Sequence, residues 1–184
     1  MLHAVVHIGW SGTMLAGLWR MNTDAVGTEL TAGAGEGLRA RRTVAAIAAG
    51  LAVDFAIIGM HQYGVIRSLP DLPVRGFDSN AVTTSSAAYP FGIPDSALAL
   101  AGLGGIIALA TAGGSASTGR PPLFDVALGA ATAIGAGGAL YYLNTMRRER
   151  TLCAYCLVGS VGMFAMAAIA APAAVRAVAR WFAR

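Results

Sequence analysis

Arg147-Arg148-Glu149-Arg150-Thr151-Leu152-Cys153-Ala154-Tyr155-Cys156 contains the only two cysteines of the chain and opens an apolar run that continues to about Ala174. A helix crosses a bilayer with about 20 predominantly apolar residues, so this run is a membrane span with a dithiol at its mouth. The rest of the chain is of the same material: 56% hydrophobic and 12% charged, with mean hydropathy +0.62. Only helices and closed barrels satisfy their backbone in lipid, and the alternating segments of a barrel are absent. The expected fold class is all-α integral membrane, a four-transmembrane-helix bundle with an additional N-terminal apolar helix.

Outward from the cysteines, three more spans are expected, at about Val44 to Ile66, Gly92 to Ala112 and Leu123 to Leu143. Leu2 to Trp19 is a shorter apolar run, spanning or interfacial; its charge, Arg20, follows the run, unlike the order in a signal peptide. Met21 to Gly37 is rich in Gly, Thr and Ala and reads as loop. The domain plan is an N-terminal apolar helix over 1–20, a cytoplasmic linker over 21–42 and the bundle over 43–184. Arginine flanks favour the cytoplasmic side. Arg39, Arg41, Arg42, Arg120, Arg176, Arg180 and Arg184 therefore go inside, and the loop Arg67 to Phe91 and the cysteines go outside. Arg147, Arg148 and Arg150 oppose this orientation but are outnumbered. Gly104-Gly105 and Gly137-Gly138 read as devices for close helix packing. The formal charge is +4 and all 13 basic residues are arginine; scattered at helix ends, they form no nucleic-acid surface.

Cys-x-x-Cys has several chemical meanings. Zinc needs further ligands, and His3, His7 and His61 lie in other segments. Covalent haem attachment needs His after the second cysteine, where Leu157 stands. A redox dithiol and a pair of inert, buried cysteines remain open. A helix start stabilises a thiolate through its unpaired N–H groups and dipole. On that reading Cys153 is the more exposed, exchanging thiol, and Cys156 points into the bundle. Asp54, mid-span, is expensive in lipid and a candidate for function. Its options are a proton relay, a pair with His61, or a neutral carboxyl bonded to another helix. Asp95 and Asp125 suit the first turns of their helices. His3 and His7 share a helix face but lack a third ligand, so no metal site is expected.

Val82-Thr83-Thr84-Ser85-Ser86-Ala87-Ala88-Tyr89-Pro90-Phe91-Gly92-Ile93-Pro94 and the glycine-rich span after it resemble the loop-to-second-helix signature of the vitamin K epoxide reductase family. Cys153-Ala-Tyr-Cys156 sits where that family places its catalytic pair, and Gly50 to Tyr63 is similar to its first helix. The resemblance covers about Val44 to Ala174. It implies a four-helix bundle around a quinone (menaquinone or ubiquinone) in a bacterial plasma membrane. The cysteine pair would reduce the quinone and form disulfides in exported proteins, often through a periplasmic thioredoxin-like partner. Ser85 matches the family's serine near the quinone, and Ser160, one turn below Cys156, is a second candidate.

One departure bears on mechanism. The family carries a second cysteine pair in the outer loop, and the position of its later member reads Ser79 here. No cysteine occurs in Arg67 to Phe91, so the internal relay is missing. The expected function is a membrane thiol–quinone oxidoreductase acting through Cys153–Cys156. The alternative is a non-catalytic helical subunit held by other subunits of a membrane complex.

Overall fold

The computed structural model describes residues 23–114 and 120–183. The N-terminal apolar helix expected over 1–20, with His3 and His7, lies outside the described residues. Those that are described form six α-helices: α1 (Thr23–Ala32), α2 (Glu36–Gln62), α3 (Ser79–Thr83), α4 (Asp95–Thr111), α5 (Pro122–Glu149) and α6 (Ala154–Phe182). Two 3-10 turns, Ser86–Ala88 and Pro90–Gly92, lead from α3 to α4. The described residues contain no strand, only one parallel bridge between Phe77 and Leu152.

Three helices, α2, α5 and α6, are long and apolar enough to cross a membrane. The fourth apolar helix, α4, has 17 residues and rises about 25 Å, short of the roughly 30 Å hydrocarbon core. The four pack in a ring, α2 on α4, α4 on α5, α5 on α6 and α6 on α2. Val44, Ala48 and Leu51 of α2, Leu103 and Ile106 of α4, Leu128 of α5 and Met166 of α6 fill the centre. Val53, Ile134, Val161 and Val175 face outward and are exposed. An apolar exterior on long helices suits a lipid solvent, since in water such a surface would be an association hazard.

The loop expected over Met21 to Gly37 is largely helical. Helix α1 occupies Thr23–Ala32, and α2 begins at Glu36, before the expected Val44. Glycine lowers helix propensity, but a tertiary contact holds the segment. Arg42 donates to the carbonyls of Glu29, Leu30 and Gly33, closing the C-terminus of α1. Arg41 does the same for α4, donating to Ala110 O at 3.1 Å, Gly113 O at 3.3 Å and Gly114 O. Arg120 donates to Leu109 O at 3.0 Å and to Ala112 O. Three of the arginines that read as topology signals thus satisfy carbonyls that helix ends leave unpaired.

The packing glycines are also not the ones expected. A Cβ on Gly104, Gly105, Gly137 or Gly138 would meet nothing within 4 Å. Close approaches between these helices occur instead at Gly129, against Ala174, at Gly135, against Met163, and at Gly162, where a Cβ would lie 2.7 Å from Leu51 Cδ1. Pairs of small residues therefore did not mark the seam; position on the helix face did. Gly129→Ala should push α5 from α6 at a cost of about 1–3 kcal/mol, read as a lower unfolding midpoint in detergent, whereas Gly105→Ala should be silent.

Candidate functional site

The turn from α5 to α6 sets the cysteines. Arg150 closes α5 in the left-handed conformation, φ 54°, with its N–H on Met146 O. Thr151 N–H also bonds Met146 O, at 3.2 Å. The chain reverses within four residues and delivers Cys153 as the N-cap of α6. Its Sγ accepts the N–H of Cys156 at 3.0 Å, and a disulfide joins the two residues, with Cα atoms 5.2 Å apart. When the pair is reduced, the same N–H and the helix dipole favour negative charge on Cys153.

The exposures of the two cysteines are the reverse of what the sequence suggested. Cys153 is 0% exposed, packed with Val82 and Met146, while Cys156 is only partly buried. The reason lies in the preceding loop. Leu152 N–H donates to Gly76 O at 2.7 Å and Asp78 N–H to Leu152 O at 2.9 Å, which ties the loop over the start of α6. Proximity to the helix start does not give exposure when another segment pairs with the residue next door.

Ser79 is the keystone of that seal. It is fully buried, and its Oγ accepts the Ala154 N–H at 3.0 Å and donates to Asp71 Oδ1 at 3.1 Å. Asp71 also accepts the backbone N–H of Ser79. The hydroxyl at the position of the missing loop cysteine thus satisfies an orphan N–H in the first turn of α6. Ser79→Ala should cost about 1–2 kcal/mol and speed reduction of the disulfide by dithiothreitol, measured by timed alkylation.

Cys156 faces a cleft of about 430 Å³ at the same end of the bundle. Phe55 and Ile58 of α2, Val82 and Thr83 of α3, Leu98 of α4, Ala139 and Tyr142 of α5, and Gly159, Ser160 and Met163 of α6 contribute to its wall. Leu98, Ile134 and Tyr141 line it and are also exposed, so the cleft reaches the outer surface at the seam of α4 and α5. An apolar cavity of this size with a few convergent polar groups is the usual form of a small-molecule site.

A hydrogen-bonded cluster centred on Gln62 ties together residues beside the cleft. Its amide donates to Asp95 Oδ1 at 2.7 Å and Thr83 O at 3.0 Å, and accepts from Ser96 Oγ at 2.5 Å. His61 Nδ1 lies 3.2 Å from Thr83 Oγ1, and Tyr142 Oη donates to Ala87 O at 3.1 Å. Gln62, Thr83 and Tyr142 gave no signal in the sequence, because nothing in their spacing announces a contact between residues 21 to 55 positions apart.

The expected site residues divide. Cys156 and Ser160 are on the cleft wall, and Ser160 Oγ donates to Cys156 O at 2.7 Å. Ser85 is not on the wall; its hydroxyl donates to Val82 O at 2.8 Å. Asp54 is not on the wall either. Its Oδ2 is buried without a hydrogen-bond partner, facing Gly159 across the α2–α6 seam, so it does not pair with His61. Asp95 does line the cleft, in the first turn of α4 as expected.

Residues 43–171, more than two thirds of the chain, match the family model described as Vitamin K epoxide reductase family. No curated protein and no solved structure matches the chain.

Proposed function

Because the chain belongs to the vitamin K epoxide reductase family, we propose that it is a membrane thiol–quinone oxidoreductase that couples disulfide formation in exported proteins to reduction of menaquinone or ubiquinone. The observation that carries this reading is the disulfide whose less buried member, Cys156, borders an apolar cleft reaching the outer surface of the bundle. The wall fits a quinone head: it is mostly hydrocarbon, with Thr83, Tyr141, Tyr142 and Ser160 as its hydroxyls and Asp95 as its acid. A bound quinone supplies an acceptor for two electrons and two protons.

The chain's own residues perform the thiol half. A thiolate of a reduced partner attacks the Cys153–Cys156 disulfide, breaking the S–S bond and forming a mixed disulfide. The partner's second thiol displaces it, so the partner leaves oxidised and Cys153 and Cys156 are left as a dithiol. Closing that dithiol back to the disulfide releases two electrons and two protons toward the cleft. Cys156 is the sulfur adjacent to the acceptor, and Cys153 is the sulfur beneath the seal of Gly76 to Ser79. Ser79 cannot carry electrons, so the donor is an external thioredoxin-like thiol protein, and the seal must lift for it to reach Cys153. Asp54, one helix away, is a candidate to hold a proton during turnover.

The fit of this scheme to a cell is a bacterial plasma membrane with α4 as a fourth span and the cysteine end periplasmic. The supporting observation is the excess of arginines at the opposite end. The test is thiol trapping in membranes whose quinone pool is driven oxidised or reduced. The pair should follow the pool. Thiols indifferent to it would favour the other reading, a non-catalytic subunit of a membrane complex.

A further inference from the structure

At the end of the bundle opposite the cysteines lies a second cleft, of about 280 Å³, which the redox chemistry does not use. It sits between the start of α2, the start of α5 and the end of α6. Its lining holds four arginines, Arg41, Arg120, Arg176 and Arg180, against one acid, Asp125.

The four do different things. Arg41 and Arg120 are 6% and 8% exposed and are committed to the carbonyls at the end of α4. Arg120 also neutralises the one acid, with Nε 3.0 Å from Asp125 Oδ1. Arg176 and Arg180 are exposed, one helical turn apart on one face of α6, and form no ion pair among the described residues. One bond holds them in register, Arg180 Nε to Arg176 O at 3.2 Å. The N-terminus of α2 borders the cleft, with the exposed Glu36 in its first turn but outside the lining. Its N-cap, Gly35, gives no side-chain cap, and Gly35 and Gly37 line the cleft. Beneath the arginines the wall turns apolar, with Leu38, Val44, Leu128 and Ile169.

Two guanidiniums without acids, an uncapped helix start and an apolar floor describe a receptor for an anion with a hydrocarbon body. We infer that this cleft binds a phosphate group through Arg176 and Arg180, carried by an anionic phospholipid headgroup or by a soluble phosphate. Guanidinium forks match phosphate oxygens in geometry and charge, and uncapped backbone N–H groups accept the same ligand. The apolar floor suits the first carbons of an acyl chain, which a soluble phosphate would leave uncovered. Basic pockets between membrane helices recognise lipid headgroups on the same physical basis.

The test titrates the full chain, purified in a neutral detergent, with phosphatidylglycerol, phosphatidylcholine or inorganic phosphate, following the melting temperature. Wild type should show saturable stabilisation by phosphatidylglycerol and none by phosphatidylcholine. R176Q/R180Q, altered only at exposed positions, should melt as wild type without additive and bind about tenfold or more weakly. If inorganic phosphate stabilises equally and in the same arginine-dependent way, the source is soluble. Equal stabilisation by phosphatidylcholine, or a variant that binds as tightly as wild type, would overturn the inference. The quinone reaction at the other end is unaffected by either result.

Discussion

Cys156→Ala is expected to leave a folded protein without the proposed quinone reduction. The loss should reach the uncatalysed background, on the order of 10³-fold or more, as for removal of a reacting nucleophile. The fold should survive because the disulfide closes only a short loop. On chain-entropy grounds a loop this small contributes about 2 kcal/mol, and the α6 helix keeps its packing against α2 and α5. The variant also leaves Cys153 alone beneath the seal made by Ser79, Val82 and Met146. A reduced partner then has no S–S bond to attack, because Cys153 alone is a thiol and cannot accept its electrons. Stopped-flow quinone absorbance gives the rate, and a dithiol partner that stays reduced in the presence of the variant would show the thiol half arrested. Full turnover by the variant would remove Cys156 from the chemistry.

Gly138→Phe separates the cleft from the dithiol. Gly138 borders the cleft, and a Cβ there meets no atom within 4 Å, so the ring occupies space a ligand would use rather than displacing a neighbouring helix. Forcing a quinone head past that ring costs about 1–3 kcal/mol, equivalent to a rise in KM for quinone of about fivefold to roughly 150-fold. Reduction of Cys153–Cys156 by dithiothreitol should be unchanged, since the seal over Cys153 is on the other side of the turn. Gly138→Ala, with one methyl in open space, serves as the control and should behave as wild type. An unaltered KM in Gly138→Phe would place the acceptor elsewhere.

The parts of this protein that were legible in the sequence are those written in local chemistry. Long apolar runs gave the helices, and Cys-x-x-Cys at the start of one gave a disulfide-forming pair, because residues three apart at a helix start fall within bonding reach. The ends were less legible. Helix α5 runs to Glu149 and α6 to Phe182, well past Leu143 and Ala174, since a hydropathy reading stops where charge begins. A helix continues wherever its arginines suit the C-terminal dipole, as Arg147 and Arg148 do.

What stayed hidden was tertiary. Cys153 reads as exposed until Leu152 is seen paired with Gly76 and Asp78. Arg41, Arg42 and Arg120 read as topology signals until their carbonyl partners are known. Ser79 reads as a loss, the site of an absent thiol. In the folded protein it is a buried bond between the loop and the first turn of α6, which makes the seal over the disulfide a structural element of the chain.

The central claim is that this one disulfide exchanges two electrons with a quinone in the adjoining cleft. A single-turnover experiment meets it most directly. The protein is reduced, freed of reductant and mixed anaerobically with one equivalent of quinone. Quinone absorbance and the alkylatable thiols of Cys153 and Cys156 are then followed together. The expected result is one quinone reduced for each pair of thiols lost, with matching rates. Quinone that stays oxidised beside a persistent dithiol, or thiols lost without quinone reduction, would contradict it.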